Sequence, residues 1–414
     1  MIGVGTRDPR DTDRAAAAGR QRAASWHTLD LRALGGDGER AAWVALSLVP
    51  GMGPAGFATV LHRYGSAGDA LRAGVELVPH IHRAPAAAEE YLRRHAADEP
   101  QAVLRRVEAA VGNAGGRVIT AIDDGYPGIL CQLDPRPPVL YVAGSQAALE
   151  GTAVAVVGTR RASGYGRSSA IDIADALARA GMVVVSGLAL GIDGEAHRAA
   201  VEADGLSVAV LPSPLDRVYP PRHGDLARRI LASGGALVSE VPPGMAIGRP
   251  DFARRNRLIA GLASAVVFVE APDRSGALLT AALAISLGRE LYAVPGPMDA
   301  VASRGCNRLI ADQSASIVTS SGALLQRLGA FAPGRRGELP ALSEVEGLVL
   351  GQLLRRSASI EELMGRLGMP AAALASALTL LEARGLATSY GGATFHPTLL
   401  ARGRGSGGGE RGGP

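Results

Sequence analysis

The chain has 414 residues, 47% of them hydrophobic, and a formal net charge of +4 from 43 basic and 39 acidic side chains. That length supports two or three domains, and the near balance of charge requires any phosphate or nucleic-acid site to be a local cluster. No lysine occurs, so every basic side chain is arginine, which excludes a Walker phosphate loop and a pyridoxal Schiff base.

Residues 1–37 are rich in Ala, Arg, Asp and Gly without periodicity, and are expected to form a disordered extension. Residues 38–120 read as a helical domain, with helices over 41–48, 57–64, 67–73, 86–96 and 101–114. Pro85 suits the start of the fourth helix, where its missing N–H costs nothing. The turn at 49–54 carries Gly51 and Gly53. It fits either the phosphate-gripping turn of a helix-hairpin-helix or an ordinary tight turn. Residues 121–150 form a proline-punctuated connector leading into a strand at 139–142. From 151 to 330 the pattern alternates between helices and valine-rich strands at 153–157, 182–185, 207–211, 236–238, 265–269 and 291–294. Uniformly apolar strands with helical crossovers predict an α/β, Rossmann-type, doubly wound and mostly parallel sheet. Residues 338–400 read as a winged helix, with helices at 343–355, 359–367 and 370–384 and a hairpin at 385–390 and 393–396. Its third helix is mostly alanine and leucine, which favours protein contact over base reading. The tail at 401–414 is expected to be flexible. Cys131 and Cys306 stand far apart, which fits a reducing cytoplasm and gives no metal spacing. No apolar run approaches the ~20 residues of a membrane span.

In a doubly wound sheet, ligands sit beyond the carboxyl ends of the strands. Four segments there stand out. The first holds Gly158, Thr159, Arg160, Arg161 and Ser163, with Ser163 placed to cap the next helix. Its glycines at 158, 164 and 166 do not make the dinucleotide fingerprint, which argues against NAD. The second holds Ser186 and Gly187, followed by Asp193 and His197. Those two are four apart on one helix face, as a base with its partner or as a local contact. The third sets Arg254, Arg255, Asn256 and Arg257 at the head of an apolar helical run, where guanidinium groups and free amides could share an anion. The fourth holds Ser275 and Gly276 at a helix start, with Thr280 one turn inside. Arginines, hydroxyls and amides at one sheet edge suit repeated phosphates. No nucleophile elbow, metal-spaced cluster or catalytic triad is visible, which points to binding without catalysis, metal or cofactor.

The same strings resemble the DNA-processing protein A (DprA/Smf) family. They are Val157-Gly-Thr-Arg-Arg-Ala-Ser163, Ser186-Gly-Leu-Ala-Leu-Gly-Ile-Asp193, Tyr219-Pro220, Arg255-Asn-Arg-Leu-Ile-Ala-Gly-Leu262, Ser275-Gly276 and Gly305-Cys-Asn-Arg-Leu-Ile310. The resemblance implies a cytoplasmic, non-enzymatic protein that binds single-stranded DNA. It implies protection of incoming strands in natural transformation, loading of the RecA recombinase and homodimers formed through the Rossmann-type domain. Carried over residue by residue, the DNA pocket would include Gly158, Arg160, Arg161, Ser186, Gly187, Arg255, Asn256 and Arg257. Gly305, Asn307, Arg308, Leu309 and Ile310 map to the dimer and RecA surface. The chain departs from the family pattern at His223, where asparagine is usual, and at Asp312-Gln-Ser-Ala315. A different class of reading is a nucleotide-processing enzyme of the lysine-decarboxylase-like type (a nucleoside monophosphate phosphoribohydrolase). The chain lacks that group's glutamate, with Ala281 and Ala284 following Thr280.

Overall fold

The computed structural model describes residues 25–29, 31–81, 83–273, 275–329, 342–384, 386–390 and 394–397. The tail at 401–414 and residues 1–24 of the expected extension lie outside them. Chain contacts divide the protein into two compact units.

The first unit contains α1 (Asp37–Ser47), α2 (Pro54–Tyr64), α3 (Ala67–Ala73), α4 (Pro85–Arg94) and the start of α5 (Pro100–Asn113). Residues 25–29 and 31–34 correct the expectation of an extension that runs to 37. Trp26 is buried, stacked on Phe57 at 5.9 Å and edge-on to Trp43, and its indole N–H donates to the Pro54 carbonyl at 3.0 Å. A buried tryptophan is among the largest single apolar contributions a small domain can have. The turns around it are only three and four residues long, too short to show periodicity. In the turn between α1 and α2, the amides of Met52 and Gly53 donate to Val49 and Gly51. A Cβ on Gly51 would fall 1.7 Å from the Arg83 carbonyl oxygen. Both features belong to a tight turn that uses its own amides.

The second unit is built on a nine-stranded sheet in the order β1-β2-β6-β5-β4-β3-β7-β8-β9. Its strands are β1 (Gly116–Thr120), β2 (Val139–Gly144), β3 (Ala153–Val157), β4 (Val183–Ser186), β5 (Ser207–Leu211), β6 (Ala236–Ser239), β7 (Ala265–Phe268), β8 (Glu290–Ala293) and β9 (Ser316–Ile317). From β6 to β9 each neighbouring pair is parallel, while β2 runs antiparallel to β6. The expected mostly parallel, doubly wound sheet is therefore present, extended by β1, read from sequence as part of the helical domain, and by β9. The valine-rich strands are buried on both faces, as a parallel sheet requires. On one face α7 (Gly164–Arg179) and α8 (Ile192–Glu202) pack alanines and leucines against Val154, Val156, Val184 and Val267. The remaining helices named in this unit are α6 (Ala147–Glu150), α9 (Gly224–Ala232), α10 (Arg249–Leu262), α11 (Gly276–Ser286), α12 (Arg304–Ala311) and α13 (Ser321–Arg327). The winding direction changes between β3 and β7, and Val157 pairs with Phe268, so the two strand exits lie side by side.

The last segment folds as α14 (Glu344–Arg355), β10 (Ala358–Ser359), α15 (Ile360–Leu367), α16 (Ala371–Ala383) and the hairpin β11 (Ala387–Tyr390) and β12 (Thr394–Pro397). Ser343 with Glu346 and Ser359 with Glu362 form reciprocal capping boxes at two of its helices. The exposed face of α16 carries Ala371, Ala372, Ser376, Thr379 and Leu380, with no basic side chain. Among the described residues no single helix is long and apolar enough to cross a membrane.

Candidate nucleic-acid interface

The exit of β3 is stitched to its neighbours through the backbone. Thr159 donates to the Glu270 carbonyl at 2.7 Å, and its own carbonyl accepts from Ile192 at 3.2 Å. Gly158 must be glycine, because a Cβ there would fall 2.6 Å from Ile192 and 2.8 Å from the Glu270 carbonyl oxygen. Ser163 caps α7, accepting from the Gly166 amide at 3.0 Å as its sequence position predicts. Arg160 and Arg161 stay exposed. The Arg160 guanidinium lies 5.0 Å from the Phe252 ring centre, and Tyr219 meets Phe252 edge-on at 5.4 Å. The result is a cation and two aromatic rings at one mouth.

The exit of β4 is held from beneath. Ser186 is buried and donates to the Val156 carbonyl at 2.6 Å. Leu188 has a left-handed backbone with φ 55°, an uncommon conformation for a residue with a branched side chain. Two histidines fix it. The Leu188 amide donates to His197 Nε2 at 3.3 Å, and His223 Nδ1 donates to the Leu188 carbonyl at 2.8 Å. Accepting at Nε2 places the His197 proton on Nδ1, which faces Ser207 Oγ at 2.7 Å; that hydroxyl donates to Val184 at 2.9 Å. Burial, with the charges of His223 and Arg255, pushes His197 down to about 3, so the ring is neutral. Its role here is to orient a loop. Asp193 bonds the Gly187 amide at 3.1 Å.

The arginine run needs a structural correction. Helix α10 begins at Arg249, with Pro250 in its first turn and Asp251 accepting from the Gly248 amide at 2.8 Å. Arg254–Arg257 therefore lie beyond the first turn and do not share the helix-start amides. Arg255 lies on the core face, three, four and seven residues before Leu258, Ile259 and Leu262, and is 6% exposed. Its Nη1 donates to the Gly187 carbonyl and, at 2.8 Å, to the Val210 carbonyl. Burial lowers its pKa to about 10 against the opposing charge of Asp193, whose own pKa burial raises. Arg257 pairs with Glu240, both largely buried, and burial raises the Glu240 pKa while Arg257 opposes the shift. Arg254 stands 3.7 Å from Asp251 and is half-exposed, and Asn256 Nδ2 reaches the Gly276 carbonyl at 3.4 Å.

Arg160, Gly187, Leu190, Tyr219, Phe252 and Arg255 line one small cavity of about 40 Å³. Ser275, Gly276 and Thr280 do not line it. Thr280 is buried inside α11, Gly276 is exposed, and the buried Ser275 hydroxyl has no hydrogen-bond partner among the described residues. In α12, Gly305 packs under the Ala271 carbonyl, its amide donating at 2.8 Å. Asn307 bonds both backbone groups of Gly296 at 3.1 and 2.9 Å. Arg308 reaches Asp273 at 3.1 Å, and Leu309 and Ile310 are half-buried. Phe252, Tyr219, His223 and Glu270 received no role from the sequence. The aromatic Phe252 three residues before Arg255 was the available signal.

The DNA recombination-mediator protein A family profile matches residues 117–329, and a DprA winged-helix profile matches 333–393. The chain belongs to that family. It is 40% identical over 312 residues to the putative DNA processing protein DprA of Mycobacterium tuberculosis, covering 70% of this chain and 78% of that protein. It is 43% identical over 211 residues to protein Smf of Escherichia coli, covering 51% and 56%. Among solved structures it is similar to DNA processing protein A from Streptococcus pneumoniae, at 30% identity and a TM-score of 0.58, covering 69% of this chain and 95% of that one.

Proposed function

We propose that the protein binds single-stranded DNA along the carboxyl edge of the sheet, without catalysis, and delivers it to recombination. The observation that carries the reading is the mouth formed by Arg160 over Phe252 with Tyr219 beside it. An exposed guanidinium meets phosphate while neighbouring rings can take an unstacked base, which is how sequence-tolerant single-strand binders hold their ligand. Arg161 and Arg254 extend the cationic side, and Asn256, Ser163 and Ser275 add polar groups nearby. The loop Gly187–Leu190 supplies a stiff backbone wall, since Ser186, His197, His223 and Arg255 all hold it from below. Gly158, Thr159, Gly276 and Thr280 shape the neighbouring turns, and Arg257 braces α10 through Glu240.

Family membership supports a place in DNA processing, and the resemblance extends this to protecting incoming strands in natural transformation and loading RecA in the cytoplasm. We assign homodimer and RecA contacts to the exposed side of α12, around Arg308, Leu309 and Ile310, with Gly305 and Asn307 holding that helix in place. Nucleotide hydrolysis is disfavoured, because α11 carries no acid after Thr280 or elsewhere along its length and Asp193 is committed to the loop beneath the crevice.

Fluorescence anisotropy with labelled single-stranded and duplex oligonucleotides at two salt concentrations tests the reading. Preference for the single strand and a steep loss of affinity with salt are expected. Salt-independent binding, or none, would overturn it.

A further inference from the structure

The crevice between β3 and β7 is the place where a doubly wound sheet ordinarily receives a nucleotide, its phosphate seated on the N-terminus of the following helix. In this chain a carboxylate already stands there. Glu270 leaves β7 two residues after Phe268, directly beside the β3 exit. It is 3% exposed. One carboxylate oxygen accepts from the Ser163 amide at 2.9 Å, and the other accepts from the Ser163 hydroxyl at 2.5 Å. That hydroxyl in turn caps α7 through the Gly166 amide at 3.0 Å. The carboxylate packs so closely on the helix that a Cβ at Gly166 would fall 2.2 Å from it. Thus the Ser163 amide and hydroxyl at the head of α7 already donate to an anion of the chain itself, and the Gly166 amide is taken by the Ser163 hydroxyl.

We infer that Glu270 is a specificity-determining residue: its carboxylate fills the phosphate seat of the switch-point crevice, so the site refuses free nucleotides and inorganic phosphate. Phosphates are then admitted only at the outer rim, where Arg160 and Arg161 face solvent, and a strand can present them there in series while a mononucleotide cannot. A second anion beside Glu270 would meet a like charge in a buried site, with the Ser163 amide and hydroxyl already donating to that carboxylate. This inference refines the single-strand reading above and rests on it for the role of the outer arginines.

The test uses the full chain, with adenosine monophosphate and inorganic phosphate as probes. Glu270→Ala empties the seat and leaves the Ser163 donors open. Inorganic phosphate should raise its melting temperature, relative to chloride at matched ionic strength, more than it raises that of the unaltered protein. Calorimetry should show adenosine monophosphate binding at least about tenfold tighter than to the unaltered protein. Glu270→Gln keeps the size and removes the charge, and should shift in the same direction by less. A folded Glu270→Ala protein with no gain for either probe would overturn the inference. So would adenosine monophosphate binding to the unaltered protein as tightly as to the variant. If Glu270→Ala does not fold, the absence of any gain in Glu270→Gln overturns it instead. Single-strand anisotropy on the unaltered protein is run alongside. Its failure would remove the nucleic-acid reading while leaving the phosphate result to stand or fall separately.

Discussion

The β3–α7 loop and the second turn of α10 both carry adjacent arginines, and the fold uses them in opposite ways. In the loop, Arg160 and Arg161 extend from an irregular backbone and remain exposed. On the helix, a 100° step per residue turns Arg255 onto the same face as Leu258 and Ile259. There it bridges two strand-exit carbonyls while Arg257 is spent on Glu240. Charge count alone therefore misjudges a phosphate site. The inner arginines brace the sheet edge, and in the proposed single-strand reading the outer ones are those left to meet phosphate.

The sharpest way to break this division is Arg255→Ala. It leaves the buried Gly187 and Val210 carbonyls without their donor and Asp193 without an opposing charge, so stability should fall by about 3–5 kcal/mol in chemical denaturation. DNA affinity would then be lost through the collapsed loop. A variant as stable as the parent but unable to bind would make Arg255 a ligand contact after all. His197 tests the wall more gently. Burial holds it at about 3, down from 6.5, so the unfolded chain takes up the extra proton between those values. Its contribution is therefore complete above pH 6.5 and is lost as pH falls towards 3, with a slope on the order of 1 kcal/mol per pH unit. Urea midpoints across that range should show the slope, and His197→Asn should flatten it. At His223, leucine leaves the Leu188 carbonyl without its donor, at a cost of about 1–3 kcal/mol. Asparagine can still donate there and should restore most of the loss; equal destabilisation by both would remove the hydrogen bond from the account. Arg160→Ala should leave thermal stability nearly unchanged. It should weaken single-strand binding for every sequence and reduce the salt slope by about 0.7. An unaltered slope would take Arg160 off the phosphate path.

Much of the architecture was legible because parallel strands buried on both faces must be apolar along their whole length. The valine runs of β3, β4 and β7 and the caps at Ser163, Ser343 and Ser359 all follow from local chemistry. What escaped was short or set by distant partners. β9 has two residues, β1 follows a helix with only a glycine-containing turn between, and Trp26 sits in a single turn. At α10 the sequence carries the signals for the observed geometry. Pro250 and Asp251 mark an earlier helix start, and the spacing of 255, 258, 259 and 262 marks Arg255 as inward. The histidine clamp on Leu188 joins residues 9 and 35 positions away, a pairing that only the folded sheet edge creates.

Gly187 and Arg255, 68 positions apart, occupy one shared space. A Cβ at 187 would lie 1.9 Å from the guanidinium nitrogen, so no side chain fits while the arginine is in place. Gly187→Ala should be severe in the native background and much milder once Arg255 has been replaced by methionine, a coupling that departs from additivity. A lineage that lost the arginine and then filled the glycine could not easily recover it. The step would act as an evolutionary ratchet at the base of the Gly187–Leu190 loop.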